Sequence, residues 1–310
     1  MRHVNVATIL GALSEFKHLA LVFCAVSVGV WLPNFGSATK PLVTPLVIFL
    51  IFGSLREFRV TEINPLSSAG VVVLSLLMSY TVLPIGGMQI ASLFLADGAL
   101  IGFAIMLAVP TTAGSAIIWT RLSGSDDQLS ILISVASLVL APLVTPVVFR
   151  LLVRSRIQTP VEAMVWDLLL IVGVGIALTL LVPDGTVSKR TVDRGAGLAI
   201  LLIIYSSVAN LDLRSIDIGD VAPILLVTLF VLCGGLLLSI VVGYSLHLQR
   251  VSILPLFFTS SLKNLGIALF IALSYPSPLT VAAIVTYYAV QQMFGAIIVD
   301  FAPSWSPTRS

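Results

Sequence analysis

A single lysine stands in the middle of a long stretch of otherwise uncharged, mostly apolar residues. This is Lys263, within FFTSSLKNLGIALFIALS at residues 257–274. In a helix over 251–275 it would lie about 12 residues, or roughly 18 Å, from either end, which is too deep for its side chain to reach the membrane surface. An ionisable group at such depth usually faces a bundle interior or a wet cavity and has a function there. The lysine therefore predicts a binding centre.

The residues around Lys263 favour an interruption of the helix that carries it. Thr259, Ser260 and Asn264 supply hydroxyl and amide groups, and Gly266 supplies backbone freedom. Non-helical backbone at membrane depth is tolerated only where its polar groups find partners in protein or in a cavity. We therefore expect a broken helix at the binding centre.

The composition places this centre in a membrane protein. Of the 310 residues, 58% are hydrophobic and 10% are charged, and the mean hydropathy is +1.12, whereas soluble domains are about a quarter charged. The net charge of +2 is too small and too scattered to favour nucleic acid as a partner. Cys24 and Cys233 lie in apolar runs and indicate neither a disulfide nor a metal site.

Ten apolar runs approach the length that a transmembrane helix needs, roughly 20 residues. We expect the first to be a retained helix, because no convincing cleavage site follows it. The prediction is an all-α polytopic membrane protein with about ten transmembrane helices. The runs are 17–33, 40–55, 68–89, 97–120, 128–153, 160–182, 191–210, 221–247, 252–274 and 279–302.

The runs divide into two sets of five, which predicts two inverted five-helix repeats, residues 1–157 and 158–310. An odd number of helices in each half gives the halves opposite orientations. The fourth run of each half is interrupted, by AVPTTAGSAI at 108–117 and by FTSSLKNLGIA at 258–268. Interruptions at matching places point to a transporter's binding site near the midplane. The alternative is a pair of kinks eased by small residues.

The lysines and arginines outside the membrane indicate how the chain crosses it. Ten fall on the side that holds both termini and five on the other side, and the positive-inside rule makes the first side cytoplasmic. Arg150, Arg154 and Arg156 argue for the opposite orientation. We expect an integral protein of the plasma (cell) membrane with both termini in the cytoplasm.

Residues 110–146 and 260–273 carry an order of residues that is typical of one superfamily of transporters. By this order the chain resembles the bile acid:sodium symporter superfamily. The matching positions are Pro110, Ser115, Gly124, Leu129, Ser130, Pro142, Leu143, Thr145 and Pro146, followed by Asn264, Gly266 and Ala268.

The resemblance implies two bundles of helices. A core bundle from residues 68–153 and 221–302, in which the broken fourth and ninth helices cross, would stand beside a panel bundle from 17–55 and 160–210. It also implies a small organic anion as the substrate, moved by alternating access between the bundles.

Four positions depart from the sodium-binding pattern of the superfamily. Ala116 stands where the resemblance implies an asparagine, Thr259 where it implies a glutamate, and Lys263 and Ser79 where it implies glutamines. Each replacement removes or weakens an oxygen ligand, of which a hard cation needs several, and an ammonium repels Na+. The coupling ion, Na+ or H+, is left open, and no metal or other cofactor is expected. Sodium-shell positions are still matched by Ser115, Ser130 and Ser134.

Lys263 has two functional interpretations and one structural interpretation. Its ammonium could replace sodium as a fixed or titrating charge, or it could contact an anionic substrate beside the N-termini of half-helices. In the structural interpretation it pairs with a buried acid, either Asp97 or Asp167. Asp97 opens the fourth run and is expected to cap that helix, and Asp167 is left open as an interfacial or gating residue.

The predicted function is secondary active transport of a small organic anion, with the lipid bilayer as the other partner. The alternatives are a sodium-coupled symporter, and a membrane-embedded channel or sensor. The chain has no HExxH, GxSxG or phosphate-loop motif, so neither an enzyme nor a catalytic residue is expected. The oligomeric state is open. The predicted substrate- or ion-binding residues are Lys263, Asn264, Ser115, Ser130, Ser134, Thr112, Thr259, Ser260, Ser79, Gln291 and Gln292.

Overall fold

The structure is a computed structural model that describes residues 22–56, 65–153, 161–183, 185–211 and 216–301. Within these ranges the secondary structure is helical, apart from one isolated β-bridge. The predicted boundary between residues 157 and 158, and many of the charges used for orientation, lie outside the described residues. The helices are α1 (Val22–Trp31), α2 (Pro33–Arg56), α3 (Ser68–Phe94), α4 (Asp97–Ala108), α5 (Ala113–Leu122), α6 (Asp127–Val153), α7 (Val161–Leu181), α8 (Lys189–Ala209), α9 (Ile218–Ser245), α10 (Arg250–Ser261), α11 (Leu265–Ala272) and α12 (Pro278–Phe301).

Seven of these helices are long and apolar enough to cross a membrane. They are α2, α3, α6, α7, α8, α9 and α12, while α1 and α4 are shorter apolar helices. The prediction of an all-helical membrane protein is therefore confirmed within the described ranges. The arrangement of ten helices as two inverted repeats stays a prediction.

The second helix is longer than its apolar run. The sequence predicts it over 40–55, but it begins at Pro33 and passes through two 3-10 turns, Pro33–Phe35 and Lys40–Leu42, before regular α-helix starts at Val43. Pro33 and Pro41 lie at the first or second position of these turns, where a missing N–H costs no hydrogen bond. The prolines therefore start turns instead of separating the helix from its neighbour.

The helices pack into a larger and a smaller group. In the large group (α3–α6 and α9–α12), α12 packs against α4 and α9, and α10 packs against α5, α6 and α9. In the small group (α1, α2, α7 and α8), α2 packs against both α7 and α8. The short helix α11 contacts α2 and α8, and it therefore carries part of the interface between the groups.

Glycine allows the helices of the small group to approach closely. A Cβ atom at Gly29 of α1 would lie 2.6 Å from a methyl carbon of Val208, and one at Gly175 of α7 would lie 2.4 Å from a methyl carbon of Ile51. In membrane proteins such close approach supplies the van der Waals packing that holds helices together. The small group is thereby a tightly packed support beside the large one.

Candidate functional site

Two helix breaks cross in the interior of the large group. The chain leaves helical geometry between Ala108 and Ala113, and again between Ser261 and Leu265. Thr111 and Lys263 form an antiparallel bridge, flanked by hydrogen bonds from the Asn264 amide to the Pro110 carbonyl (3.0 Å) and from the Thr112 amide to the Leu262 carbonyl (3.2 Å). Each break thus satisfies backbone groups that the other leaves free, as backbone at membrane depth requires. The two predicted interruptions meet at one point.

The last helix holds the second break through one side-chain amide. Gln291 of α12 accepts a hydrogen bond from the Lys263 backbone amide through Oε1 (2.8 Å) and donates one to the Lys263 carbonyl through Nε2 (3.0 Å). The Gln291 side chain therefore pairs with this peptide as a neighbouring strand would. Both polar atoms of the Gln291 side chain thus help to hold the second break, and its predicted role in binding stays a prediction.

The first break is held by hydroxyl groups. The Thr111 amide donates to Ser137 Oγ on α6 (3.1 Å), and the Thr111 hydroxyl donates to the Thr259 carbonyl of α10. The Tyr80 hydroxyl of α3 donates to the Ser137 carbonyl (3.0 Å) and shares a second hydrogen bond with Ser137 Oγ (2.9 Å). Three helices therefore fix the position of Thr111.

The ammonium of Lys263 binds to a single residue of α3. The side chain is fully buried, and Nζ donates to the carbonyl oxygen (2.9 Å) and to Oγ (2.8 Å) of Ser79. Nζ also lies 5.4 Å from the centre of the Tyr80 ring, within the range of a cation–π contact. The positive group is thus held by neutral oxygens and a ring face.

A π-helical turn explains why the Ser79 carbonyl is available. Met78–Val82 is π-helical, and the Leu83 amide donates to the Met78 carbonyl instead of to Ser79, its partner in regular α-helix. The next residue is Pro84, which has no N–H to donate. The Ser79 carbonyl is therefore left without a backbone partner and accepts from Lys263. Turns of this kind are frequent at functional sites.

Neither acid of the structural interpretation pairs with Lys263. The ion pair between Arg121 and Asp127 lies at the surface, and no described carboxylate lies within ion-pair distance of the Lys263 ammonium. Asp97 lies in the first turn of α4, where a negative charge interacts favourably with the helix dipole. The N-cap residue is Ala96, and no side chain makes a capping bond, so the prediction that Asp97 caps this helix is wrong. Asp167 is exposed on α7.

Two predicted residues begin the half-helices that start at the crossing. Asn264 is the N-cap of α11, and its Oδ1 accepts from the Ile267 amide (3.1 Å). Thr112 is the N-cap of α5, without a side-chain capping bond. Both residues are half-buried, while Lys263 is enclosed. The partially positive N-termini of α5 and α11 therefore lie at the crossing, where an anion would be stabilised.

Ser115 belongs to a different hydrogen-bond cluster from Lys263. Gln292 of α12 donates through Nε2 to Ser115 Oγ (2.6 Å) and to the Tyr288 hydroxyl (3.0 Å), and it accepts from Trp119 Nε1 (3.1 Å). This cluster joins α12 to α5. The predicted polar pair of the last helix is thus divided, since Gln291 holds the break and Gln292 holds the half-helix after it.

Most of the remaining predicted hydroxyls have hydrogen-bond partners among the described residues. Ser130 Oγ shares a hydrogen bond with Thr120 (2.7 Å), and Thr259 Oγ1 shares one with Ser75 (2.8 Å) and donates to its own helix. Ser260 Oγ donates to the Phe257 carbonyl (3.2 Å). Ser134 is fully buried and its hydroxyl has no partner among the described residues. Whether these hydroxyl oxygens bind an ion stays a prediction.

Sequence reasoning missed several residues that position the crossing. Ser137 had a signal, because Ser130, Ser134 and Ser137 recur at the spacing of one helix face. Tyr80 had none, because a buried tyrosine beside Ser79 reads as ordinary packing. The other missed residues are Ser75, Trp119 and Tyr287, whose hydroxyl donates to the Ser261 carbonyl at 3.1 Å.

Comparison with known proteins gives one finding about the whole chain. Residues 17–303 match the model of the SBF-like CPA transporter family. No curated protein matches the chain. The family match covers both helix breaks and every helix between them.

Proposed function

This chain belongs to the SBF-like CPA transporter family, and we propose that it is a secondary active transporter that moves a small organic anion by alternating access. The buried ammonium of Lys263, bound to Ser79 where relatives are expected to bind sodium, is the observation that carries the proposal. It would give this chain an internal lysine ammonium in place of an exchangeable sodium ion. The proposed substrate-binding region is the crossing, on the side of Thr112 and Asn264.

The electrostatics of the crossing favour an anion. A buried ammonium with no paired carboxylate is costly. Among the described residues, the Lys263 ammonium has only the Ser79 oxygens and the Tyr80 ring as partners. The N-termini of α5 and α11 add partial positive charge at the same point. An anionic substrate that docks there would neutralise part of this charge. The same arrangement disfavours a cationic substrate.

We propose that transport is driven by the proton gradient or the membrane potential and not by sodium. Among the residues expected to bind sodium, Ser130 and Thr259 already have side-chain partners, and Ala116 offers no oxygen. A lysine is able to carry a charge or release a proton as its surroundings change during transport. The absence of a described carboxylate beside the hydroxyls supports the same conclusion.

The proposal includes the finer architecture implied by the resemblance. Two inverted five-helix repeats would place the breaks at matching positions, with the large group as the core bundle and the small group as the panel. Because α11 contacts α2 and α8, a broken helix lies at the boundary along which the two groups would move. Both termini are proposed to face the cytoplasm from the plasma membrane.

The test is transport into liposomes with sodium and proton gradients set independently. Labelled small carboxylates serve as probes, and the wild-type chain is compared with Lys263→Gln, Lys263→Arg and Ser134→Ala. We expect uptake that follows the pH gradient, strong loss with Lys263→Gln, partial activity with Lys263→Arg, and no change with Ser134→Ala. Lys189→Gln, at the exposed start of α8, is the matched control for loss of a lysine charge.

Two results would contradict the proposal. Uptake that requires sodium and is unaffected by Lys263→Gln would identify a sodium-coupled symporter. Binding of the probes without accumulation under any gradient would identify a sensor.

A further inference from the structure

A second polar cavity lies away from the crossing, between the two groups of helices. It has a volume of about 140 Å³ and is bounded on the small-group side by Lys40, Ser206 and Asn210. On the large-group side it is bounded by apolar residues of α11 and the segment after it, including Leu269 and Ala272. Leu269 is six residues beyond Lys263, or roughly 9 Å along a helix axis. The cavity is therefore separate from the Lys263 ammonium.

The cavity contains a buried hydroxyl that lacks a partner. Ser206 is fully buried, and its Oγ has no hydrogen bond among the described residues. Buried polar groups are almost always paired, so an unpaired hydroxyl that lines a cavity is a candidate to bind a water or a ligand there. Its neighbour Ser207 differs, because the Ser207 hydroxyl donates to the Ile203 carbonyl of its own helix (2.8 Å). Ser206 thus has a free donor at a cavity wall.

Lys40 also lines this cavity, and hydrogen bonds attach the segment that carries it to α8. Lys40 is exposed and contacts no carboxylate in the part of the chain that the structure describes. Asn210 Nδ2 donates to the Gly36 carbonyl (3.0 Å) and the Ser206 carbonyl (2.7 Å), and the Tyr205 hydroxyl donates to the Leu32 carbonyl (2.7 Å). These bonds attach the turns before Lys40 to α8. The lysine is therefore held near Ser206.

The cavity on the other flank of α11 has the opposite charge. It has a volume of about 270 Å³ and is lined by Thr44, Asp167 and Ser274, among others. A carboxylate ligand would be repelled by Asp167 there and attracted by Lys40 in the smaller cavity. The difference in charge selects one of the two cavities for an anion.

We propose that the cavity of Lys40 and Ser206 binds a small monocarboxylate. The carboxylate accepts a charge-assisted hydrogen bond from the Lys40 ammonium and another from the Ser206 hydroxyl, and its alkyl chain lies on Leu269 and Ala272. The volume of about 140 Å³ equals roughly five water molecules at about 30 Å³ each, which suits an acid the size of butyrate. The role as an entrance for substrate rests on the proposed transport function, but the binding does not.

The experiment measures butyrate binding to the purified full chain in lipid nanodiscs without any gradient. Isothermal titration compares the wild type with Lys40→Gln, Lys40→Arg and Ser206→Ala. We expect a dissociation constant in the millimolar range, raised about tenfold by Lys40→Gln and severalfold by Ser206→Ala. Lys40→Arg should retain most of the affinity. Butylamine, with the same chain and the opposite charge, should not bind.

The controls separate this cavity from the crossing. Asp167→Asn in the larger cavity should leave butyrate affinity unchanged, and Ser206→Ala should lower it more than Thr112→Ala at the crossing does. Loss of affinity in Thr112→Ala with no effect of Ser206→Ala would place the anion at the crossing and overturn the proposal, as would the absence of butyrate binding by the wild type. Because no gradient is present, a failure of transport in liposomes leaves this result intact, and a failure of binding here leaves the transport proposal intact.

Discussion

The two helix breaks solve the same backbone problem with different chemistry. At the first break Thr111 is fixed through hydroxyl groups, by Ser137 from α6 and by its own bond to α10. At the second break a single amide, that of Gln291, binds both backbone groups of Lys263, and the lysine side chain extends to α3. The first break is neutral, and the second contains a buried cation.

This difference separates the groups that stabilise the backbone of the crossing from the group that carries its charge. Backbone satisfaction is needed at both breaks, because unpaired N–H and C=O groups at membrane depth are costly. The ammonium is not needed for that purpose, since Lys263 uses its backbone for the bridge and its side chain for Ser79. Changes to the side chain should therefore affect function, and changes to the backbone partners should affect stability.

The largest expected effect comes from removing the charge while keeping the volume. Lys263→Met should reduce anion transport by roughly a hundredfold, because loss of a buried, hydrogen-bonded charge costs several kcal/mol in the binding of an oppositely charged partner. Its thermal stability should be unchanged or higher, since burying an ammonium without a paired carboxylate costs more than the hydrogen bond that the Ser79 carbonyl then lacks. Flux in liposomes checks the expected loss of transport, and thermal unfolding in the same lipid checks the expected stability. A large loss of stability would mean that the ammonium is structural.

The second prediction compares the stability lost when each break loses a side chain that binds its backbone. Gln291→Leu leaves the amide and carbonyl of Lys263 without their partner, at a cost of about 1–3 kcal/mol for each group. Ser137→Ala removes one acceptor from Thr111, at a cost of about 1–3 kcal/mol in total, because Tyr80 keeps the Ser137 carbonyl. The midpoint of thermal unfolding should fall more for Gln291→Leu than for Ser137→Ala.

Gln292→Leu is the control for this pair, because it removes bonds to Ser115 and Trp119 without touching the backbone of either break. If it destabilises the chain as much as Gln291→Leu, the loss reflects a buried amide in general and not the support of the second break.

The sequence predicts the breaks well but not the partners of Lys263. Proline, glycine and hydroxyl residues at matching places marked both interruptions, and the depth of the lysine in an apolar run marked the charge. The resemblance to the bile acid:sodium symporter superfamily is confirmed by the family match over residues 17–303. Which residues approach across the bundle depends on tertiary packing, so the contacts from Thr111 to Ser137 and from Lys263 to Ser79 had no local signature.

The helix boundaries show a similar limit. Hydropathy located the apolar runs, but it placed the start of the second helix at residue 40, because the short turns from Pro33 are poor in apolar periodicity. The cavity of Lys40 and Ser206 was not foreseen, because its walls come from helices that are far apart in the sequence. The π-helical turn at Met78–Val82 has no compositional mark except the proline that follows it.

That proline provides the most delicate test of the difference between the breaks. Pro84→Ala supplies a backbone N–H, and it also permits the turn to return to α-helix, in which the Leu83 amide donates to the Ser79 carbonyl. In either case a backbone donor competes with Lys263 for that carbonyl, while stability changes little. We expect transport to fall by about three- to tenfold, the effect of one weakened hydrogen bond to a charged group, with an altered pH profile.

Pro223→Ala in α9 is the matched control and should leave transport unchanged. An identical pH profile for Pro84→Ala and the wild type would mean that the π-helical turn does not set the environment of Lys263, and that Ser79 Oγ alone is sufficient to hold the ammonium.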